Sequence, residues 1–185
     1  MLVPHFVAAY LIFLLFSSSG WISSVLAQLH VLDAPSDFPI LVNDPVGIGI
    51  ILTYLWKEIP FVVLMLLPIY YQINSEYAQV VRTLGGKEWE VFRTAEWPWL
   101  FPTLVETGVI LIAFIVSAYE IPYLLGVTYP KMLAILSYQW FYQGDWSNRP
   151  LAMADMVTVA GGLAVLAYLG FRWAQHQRYR TMRGR

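Results

Sequence analysis

The stretch Gln79-Val80-Val81-Arg82-Thr83-Leu84-Gly85-Gly86-Lys87-Glu88-Trp89-Glu90-Val91-Phe92, with Pro98 downstream, decides how this chain is read. Just before it, Asn74-Ser75 offers a helix N-cap, and Glu76 sits in the first turn, where the helix dipole favours an anion. Tyr77, Val80, Val81 and Leu84 fall at i, i+3, i+4 and i+7, one apolar stripe on a short amphipathic helix. Gly85-Gly86 stops that helix, because glycine supplies a left-handed C-cap without steric cost. A second helix, about 87–97, carries Trp89, Phe92 and Ala95 on one face, and Pro98 is expected to end it. The spacing thus predicts a helix–Gly–helix unit over residues 74–98.

On both sides of this unit the chain turns apolar. Of 185 residues, 58% are hydrophobic and only 12% charged, against about 45–50% and about 25% in an average soluble domain. With a mean hydropathy of +0.58, this composition points to an integral membrane protein. A formal net charge of −1 excludes a basic nucleic-acid-binding domain, so no nucleic-acid partner is expected. Cysteine is absent, which removes disulfides, thiol catalysis and Cys-ligated metal. The expected fold class is all-α, a polytopic membrane helix bundle in a single transmembrane domain over residues 1–185. Spans are expected at about 5–27, 47–73, 101–125 and 151–173. The first is read as a span rather than a cleaved signal, since it lacks a basic leader. The second contains Lys57-Glu58, Pro60 and Pro68 and is expected to be kinked or in two pieces.

Short loops rich in Lys and Arg stay cytoplasmic. The tail holds Arg172, Arg178, Arg180, Arg183 and Arg185; the 74–97 segment holds Arg82, Lys87 and Arg93. The 28–45 loop has no basic residue, and the 126–150 loop has Lys131 and Arg149. The 74–98 loop and both termini are therefore expected inside, and the other two loops outside.

The order of residues around Gly85 resembles the cytoplasmic EAA loop, the signature of the membrane subunits of binding-protein-dependent ABC importers. That family's pattern is Glu-Ala-Ala, three residues, Gly, nine residues, then Ile-x-Leu-Pro. Anchored on Gly85, it falls on Gln79, Val80, Val81, Ala95, Trp97 and Pro98, and the Gly and Pro match. Gln79 replaces the acid, valines replace both alanines, and Ala95 and Trp97 replace Ile and Leu. Trp56-Lys57-Glu58-Ile59-Pro60-Phe61 looks like the opening of the preceding family span. Pro122-Tyr123-Leu124-Leu125-Gly126 looks like the turn after the following span in the polyamine-type subgroup.

The resemblance implies a bacterial inner-membrane permease subunit with a cytosolic ATP-binding subunit, a second permease subunit, an extracytoplasmic solute-binding protein and the lipid bilayer as partners. It implies an ATPase-coupling role for Tyr77, Gln79, Val80, Val81, Leu84, Gly85, Trp89 and Pro98. It covers roughly the last four of six family helices, so the chain is expected to be N-terminally truncated and transport-incompetent by itself. No cofactor is expected.

Ionisable groups inside spans usually face a cavity or a partner, which makes Glu120, Lys57 and Glu58 the candidate solute-pathway residues. Glu120 leads, because Pro122 beside it suits a broken helix; an acid there suits a polyamine or another small organic cation. Glu106 and Asp155 are read as interfacial. Tyr138, Trp140, Phe141, Tyr142 and Trp146 are read as an interfacial belt or docking surface before a stacking site for a cation. Gly161, Gly162 and Gly170 are expected to allow close helix packing. No enzyme is expected: His5, His30 and His176 show no metal-ligand spacing, and no nucleotide loop is present. The alternative reading is a small membrane scaffold or assembly protein with an amphipathic cytoplasmic hairpin.

Overall fold

Apolar runs of spanning length fold as helices in the computed structural model, which describes residues 3–73 and 75–182. In chain order these are α1 (His5–Phe16), α2 (Trp21–Gln28), α3 (Ile48–Gln72), α4 (Ser75–Thr83) and α5 (Glu88–Val91). After a π turn over Phe92–Glu96 come α6 (Trp97–Ser117), α7 (Glu120–Leu125), α8 (Leu133–Tyr138) and α9 (Arg149–Met182). Among the described residues there is no strand. Four helical stretches are long and apolar enough to cross a membrane: His5–Gln28, Ile48–Gln72, Glu88–Ser117 and Trp146–Tyr179. The chain adopts the expected all-α polytopic class. Asn74, the expected N-cap, lies outside the described residues.

Local chemistry sets the breaks. The first span divides at Ser17–Gly20, where a Cβ on Gly20 would lie 2.7 Å from the Leu14 carbonyl oxygen. The hydroxyls of Ser23 and Ser24 donate back to the Gly20 carbonyl. Helix α3 runs unbroken through Pro60 and Pro68 rather than in two pieces. The third span ends at Ser117, and residues expected to continue it to 125 form the separate helix α7.

Pro98 does not end a helix. A proline ring clashes with the carbonyl four residues back and removes a donor. The chain absorbs this by widening to a π turn at Phe92–Glu96, in which the Trp97 amide donates to the Phe92 carbonyl. The helix then continues through Pro98 and Pro102 as α6.

The chain forms two compact units, Met1–Ile59 with Ile115–Val159 and Pro60–Phe114 with Ala160–Arg185. In the first, α1 packs on α7, and Ala9, Ile12, Val42, Ile50, Tyr54, Ile121 and Leu125 make the core. Asn43 takes a left-handed conformation (φ 57°), which Asn tolerates, and its amide donates to the Leu125 carbonyl at 3.0 Å. Asp44 then caps α3 by accepting from the amides of Val46 (3.1 Å) and Ile48 (3.0 Å).

In the second unit, α6 and α9 approach at Gly170, where a Cβ would lie 2.5 Å from Cγ2 of Val109. Gly161 and Gly162 behave differently from expectation: a Cβ on either would meet nothing within 4 Å. Arg178 on α9 donates to Glu106 on α6 at 2.5 Å and to Thr103 at 3.1 Å. Phe101 and Trp173 pack edge to face at 5.5 Å beside them.

Candidate functional site

Two groups of candidate residues emerge, one in each unit. The first is the helix–Gly–helix hairpin. Helix α4 ends in a Schellman motif: the Gly86 amide donates to the Val81 carbonyl at 2.9 Å and the Gly85 amide to Arg82 at 3.0 Å. Gly85 has φ +85°, the left-handed region that residues with a Cβ rarely adopt. A Cβ on Gly86 would fall 2.6 Å from Cγ1 of Val81 and 2.9 Å from its carbonyl oxygen. Both glycines are therefore required by geometry, one for its torsion and one for close approach.

Across this turn, Arg82 Nε donates to Glu88 Oε1 at 2.9 Å and Nη2 to Oε2 at 3.0 Å. The hydrogen bond and charge of Glu88 hold the Arg82 guanidinium pKa above its ordinary value. Glu90 accepts from the Lys87 amide at 2.7 Å and caps α5. Val91 and Ala95, one helical turn apart, are buried, and α4 packs on α5 and the π turn. The buried face of the second helix is thus Val91/Ala95; Trp89, expected on that face, is exposed and packs at 5.6 Å on Phe92.

The apolar stripe of α4 faces outward. Tyr77 is 56% exposed, Val80 57% and Leu84 83%, with Gln79 exposed and Val81 half-buried. Pro98 is half-buried at the head of α6. A ring series Trp89–Phe92–Trp97–Phe101–Trp173, at 5.6, 5.7, 5.1 and 5.5 Å between successive centroids, runs from the hairpin to α9.

The second group lies in the first unit, among groups that the sequence left scattered. Lys57 is only 8% exposed, and its ammonium donates to the Val3 carbonyl. Glu58 pairs with His5 Nε2 at 3.1 Å. Lys57 and Glu58 are thus both engaged by residues at the start of α1. Glu120 stands in the first turn of α7, exposed, while Ile121, Pro122 and Leu125 of the same helix are buried. Tyr54 sits within electrostatic reach of Glu58 and Glu120; its hydroxyl is buried and has no hydrogen-bond partner. Sequence reasoning missed Tyr54, since a tyrosine in an apolar span carries no signal until its neighbours are known. Of the two acids read as interfacial, Glu106 is held by Arg178, and Asp155 accepts from the Ser137 hydroxyl.

The sequence pattern of the family described as binding-protein-dependent transport system inner membrane component matches residues 1–181. The chain belongs to this family. It is a family of transport permeases and not of enzymes. The permease is 27% identical over 133 residues to the inner membrane ABC transporter permease protein YnjC of Escherichia coli, covering 70% of this chain and 26% of that protein. It is 30% identical over 86 residues to the sulfate transport system permease protein CysW of Synechocystis sp., covering 46% and 28%. Over 101 residues it is 29% identical to the thiamine transport system permease protein ThiP of Escherichia coli, covering 54% and 17%. The matches span about a quarter or less of the length of these relatives.

Proposed function

We propose that this chain forms part of the solute pathway of a bacterial inner-membrane ABC importer and takes its power from a cytosolic ATP-binding subunit through the 74–98 hairpin. The observation that carries the reading is the outward apolar face of α4, ending in a rigid glycine turn. Seating Val80 and Leu84 in a groove of the ATPase would contribute about 1.5–3 kcal/mol each. Tyr77 and Val81 complete that face, Gln79 stands on the opposite side of α4, and Gly85 gives the reversal that lets α4 move as one body with the helix carrying Trp89 and Pro98. A second permease subunit completes the pathway, and an extracytoplasmic binding protein delivers the solute. The excess of Arg in the tail supports a cytoplasmic C-terminus.

The solute is a small organic cation such as a polyamine, received by Glu120 with Lys57 and Glu58 behind it. An exposed carboxylate at the head of α7, whose Ile121, Pro122 and Leu125 are buried, supports this choice of charge. Co-purification with a cytosolic ATPase tests the coupling. Gly85→Pro removes the Gly85 donor and forbids its torsion, so it abolishes ATPase binding while leaving membrane insertion intact. A chain that binds no ATPase belongs instead to a scaffold. A reporter fused after Arg185 and found outside the cytoplasm overturns the orientation.

A further inference from the structure

The rings of the first unit stack into a continuous series. Tyr123 lies on Tyr119 with centroids 5.0 Å apart, and Tyr119 on Tyr138 at 4.5 Å. Tyr138 meets Tyr142 at 4.8 Å, and Tyr142 meets Phe141 at 4.9 Å. At the far end the Arg149 guanidinium lies 3.9 Å from the Trp146 centroid and 5.3 Å from that of Phe141. The near end adjoins Glu120, which follows Tyr119 in the chain and lies one helical turn from Tyr123.

Tyr123 and Tyr142 are exposed and Tyr119 and Tyr138 half-buried, and two destinations are open to such a series in a membrane protein, the lipid interface and a water-filled pathway. Glu120 decides between them. Helix α7 buries Ile121, Pro122 and Leu125 and exposes Glu120 and Tyr123. Its C-terminal end is tied to the 43–44 turn that opens α3, through the Asn43 amide donating to the Leu125 carbonyl. A carboxylate turned to lipid is costly, so this face of α7 fronts water or a partner. Tyr123 shares the face and Tyr119 and Tyr138 stack onto it. The buried, unpartnered hydroxyl of Tyr54 lies within electrostatic reach of Glu120 at the same end.

We propose that Tyr119, Tyr123, Tyr138 and Tyr142 form a stacking track that passes a cationic solute toward Glu120. The track rests on the permease reading and names the residues that select the solute. Ring faces attract an ammonium or guanidinium group without fixing its orientation, which suits passage better than tight retention. Arg149 is the resident cation at the outer end; it demonstrates the attraction and repels a second positive charge. A cation leaving Arg149 behind gains contact with successive π faces and then a full negative charge.

The absence of cysteine permits a direct test in the full chain reconstituted in lipid nanodiscs. Tyr123→Cys is expected to react with a charged, lipid-insoluble thiol reagent, and spermidine or thiamine at millimolar concentration to slow that reaction at least threefold. Sulfate is expected not to protect. In binding measurements with whichever of the two cations protects, Tyr119→Leu and Tyr138→Leu lower affinity at least tenfold and Tyr119→Phe lowers it less than threefold. Arg149→Gln raises it. Lack of labelling at Tyr123→Cys, protection by sulfate but by neither cation, or unchanged affinity in both leucine variants overturns the track. ATPase co-purification is read separately, so the track falls alone if the ATPase binds and no cation does; loss of both removes the permease reading as well.

Discussion

Arg178 on α9 and Glu106 on α6, 72 residues apart in sequence, meet at 2.5 Å, and the same guanidinium reaches the Thr103 hydroxyl at 3.1 Å. This pair joins the last helix of the chain to the helix that follows the hairpin. The Glu106 side chain is 18% exposed and that of Arg178 38%, so water screens the pair only in part. Arg178→Ala is expected to cost about 1–2 kcal/mol, between the values for exposed and buried pairs. Glu106→Gln keeps a hydrogen-bond acceptor and is expected to cost less. Thermal unfolding in detergent measures both; no loss in Glu106→Gln would mean that charge contributes nothing here, and a loss equal to that of Arg178→Ala that charge is the whole of the pair.

The two glycines of the hairpin fail for different reasons. Gly85→Ala forces a Cβ into the left-handed region at about 1–2 kcal/mol. Gly86→Ala leaves the torsion free but drives a methyl into the Val81 carbonyl, which cannot move without opening the Schellman turn. Gly85→Asn is expected to recover most of the loss at 85, because Asn tolerates positive φ. Gly86→Asn is expected to recover none. Hydrogen exchange of the Gly85 and residue-86 amides reads the turn directly.

The glycines of α9 separate by surroundings. Gly170→Ala places a methyl 2.5 Å from Val109 and is expected to lower the midpoint of thermal unfolding. Gly161→Ala and Gly162→Ala meet open space and gain about 0.5–1 kcal/mol each from reduced chain entropy. If all three substitutions move stability alike, the close approach of α6 and α9 is not at Gly170.

The Arg82–Glu88 pair is bidentate yet exposed and screened by water, so its loss is expected to change stability little. Its expected effect is on coupling, since it braces α4 against α5. Arg82→Ala should lower transport-linked ATP hydrolysis in the assembled importer more than it lowers stability, and the Arg82→Glu/Glu88→Arg exchange should restore part of it. Full coupling in Arg82→Ala would show that the glycine turn alone suffices.

Much of the hairpin was legible because its forces are local. The i, i+3, i+4, i+7 stripe and the double glycine encode a short helix with a left-handed end, and Gly85 has that torsion. The four apolar helices were legible by length and composition alone. Pro98 was misread because proline ends a helix only when the turn before it stays α-helical. Here the energy of widening one turn is smaller than that of breaking a long apolar helix.

Sequence by itself determined the all-α class, the apolar spans and the glycine-stopped helix with its apolar stripe, since each depends on residues within two turns of one another. Tertiary structure alone decided that Glu106 belongs to Arg178, that Lys57 and Glu58 are engaged at the start of α1, and that Gly170 rather than Gly161 is the close contact. It also brought Tyr138 onto Tyr119. Charges, rings and glycines act through whatever lies within a few ångströms, and for these residues that neighbour comes from another helix.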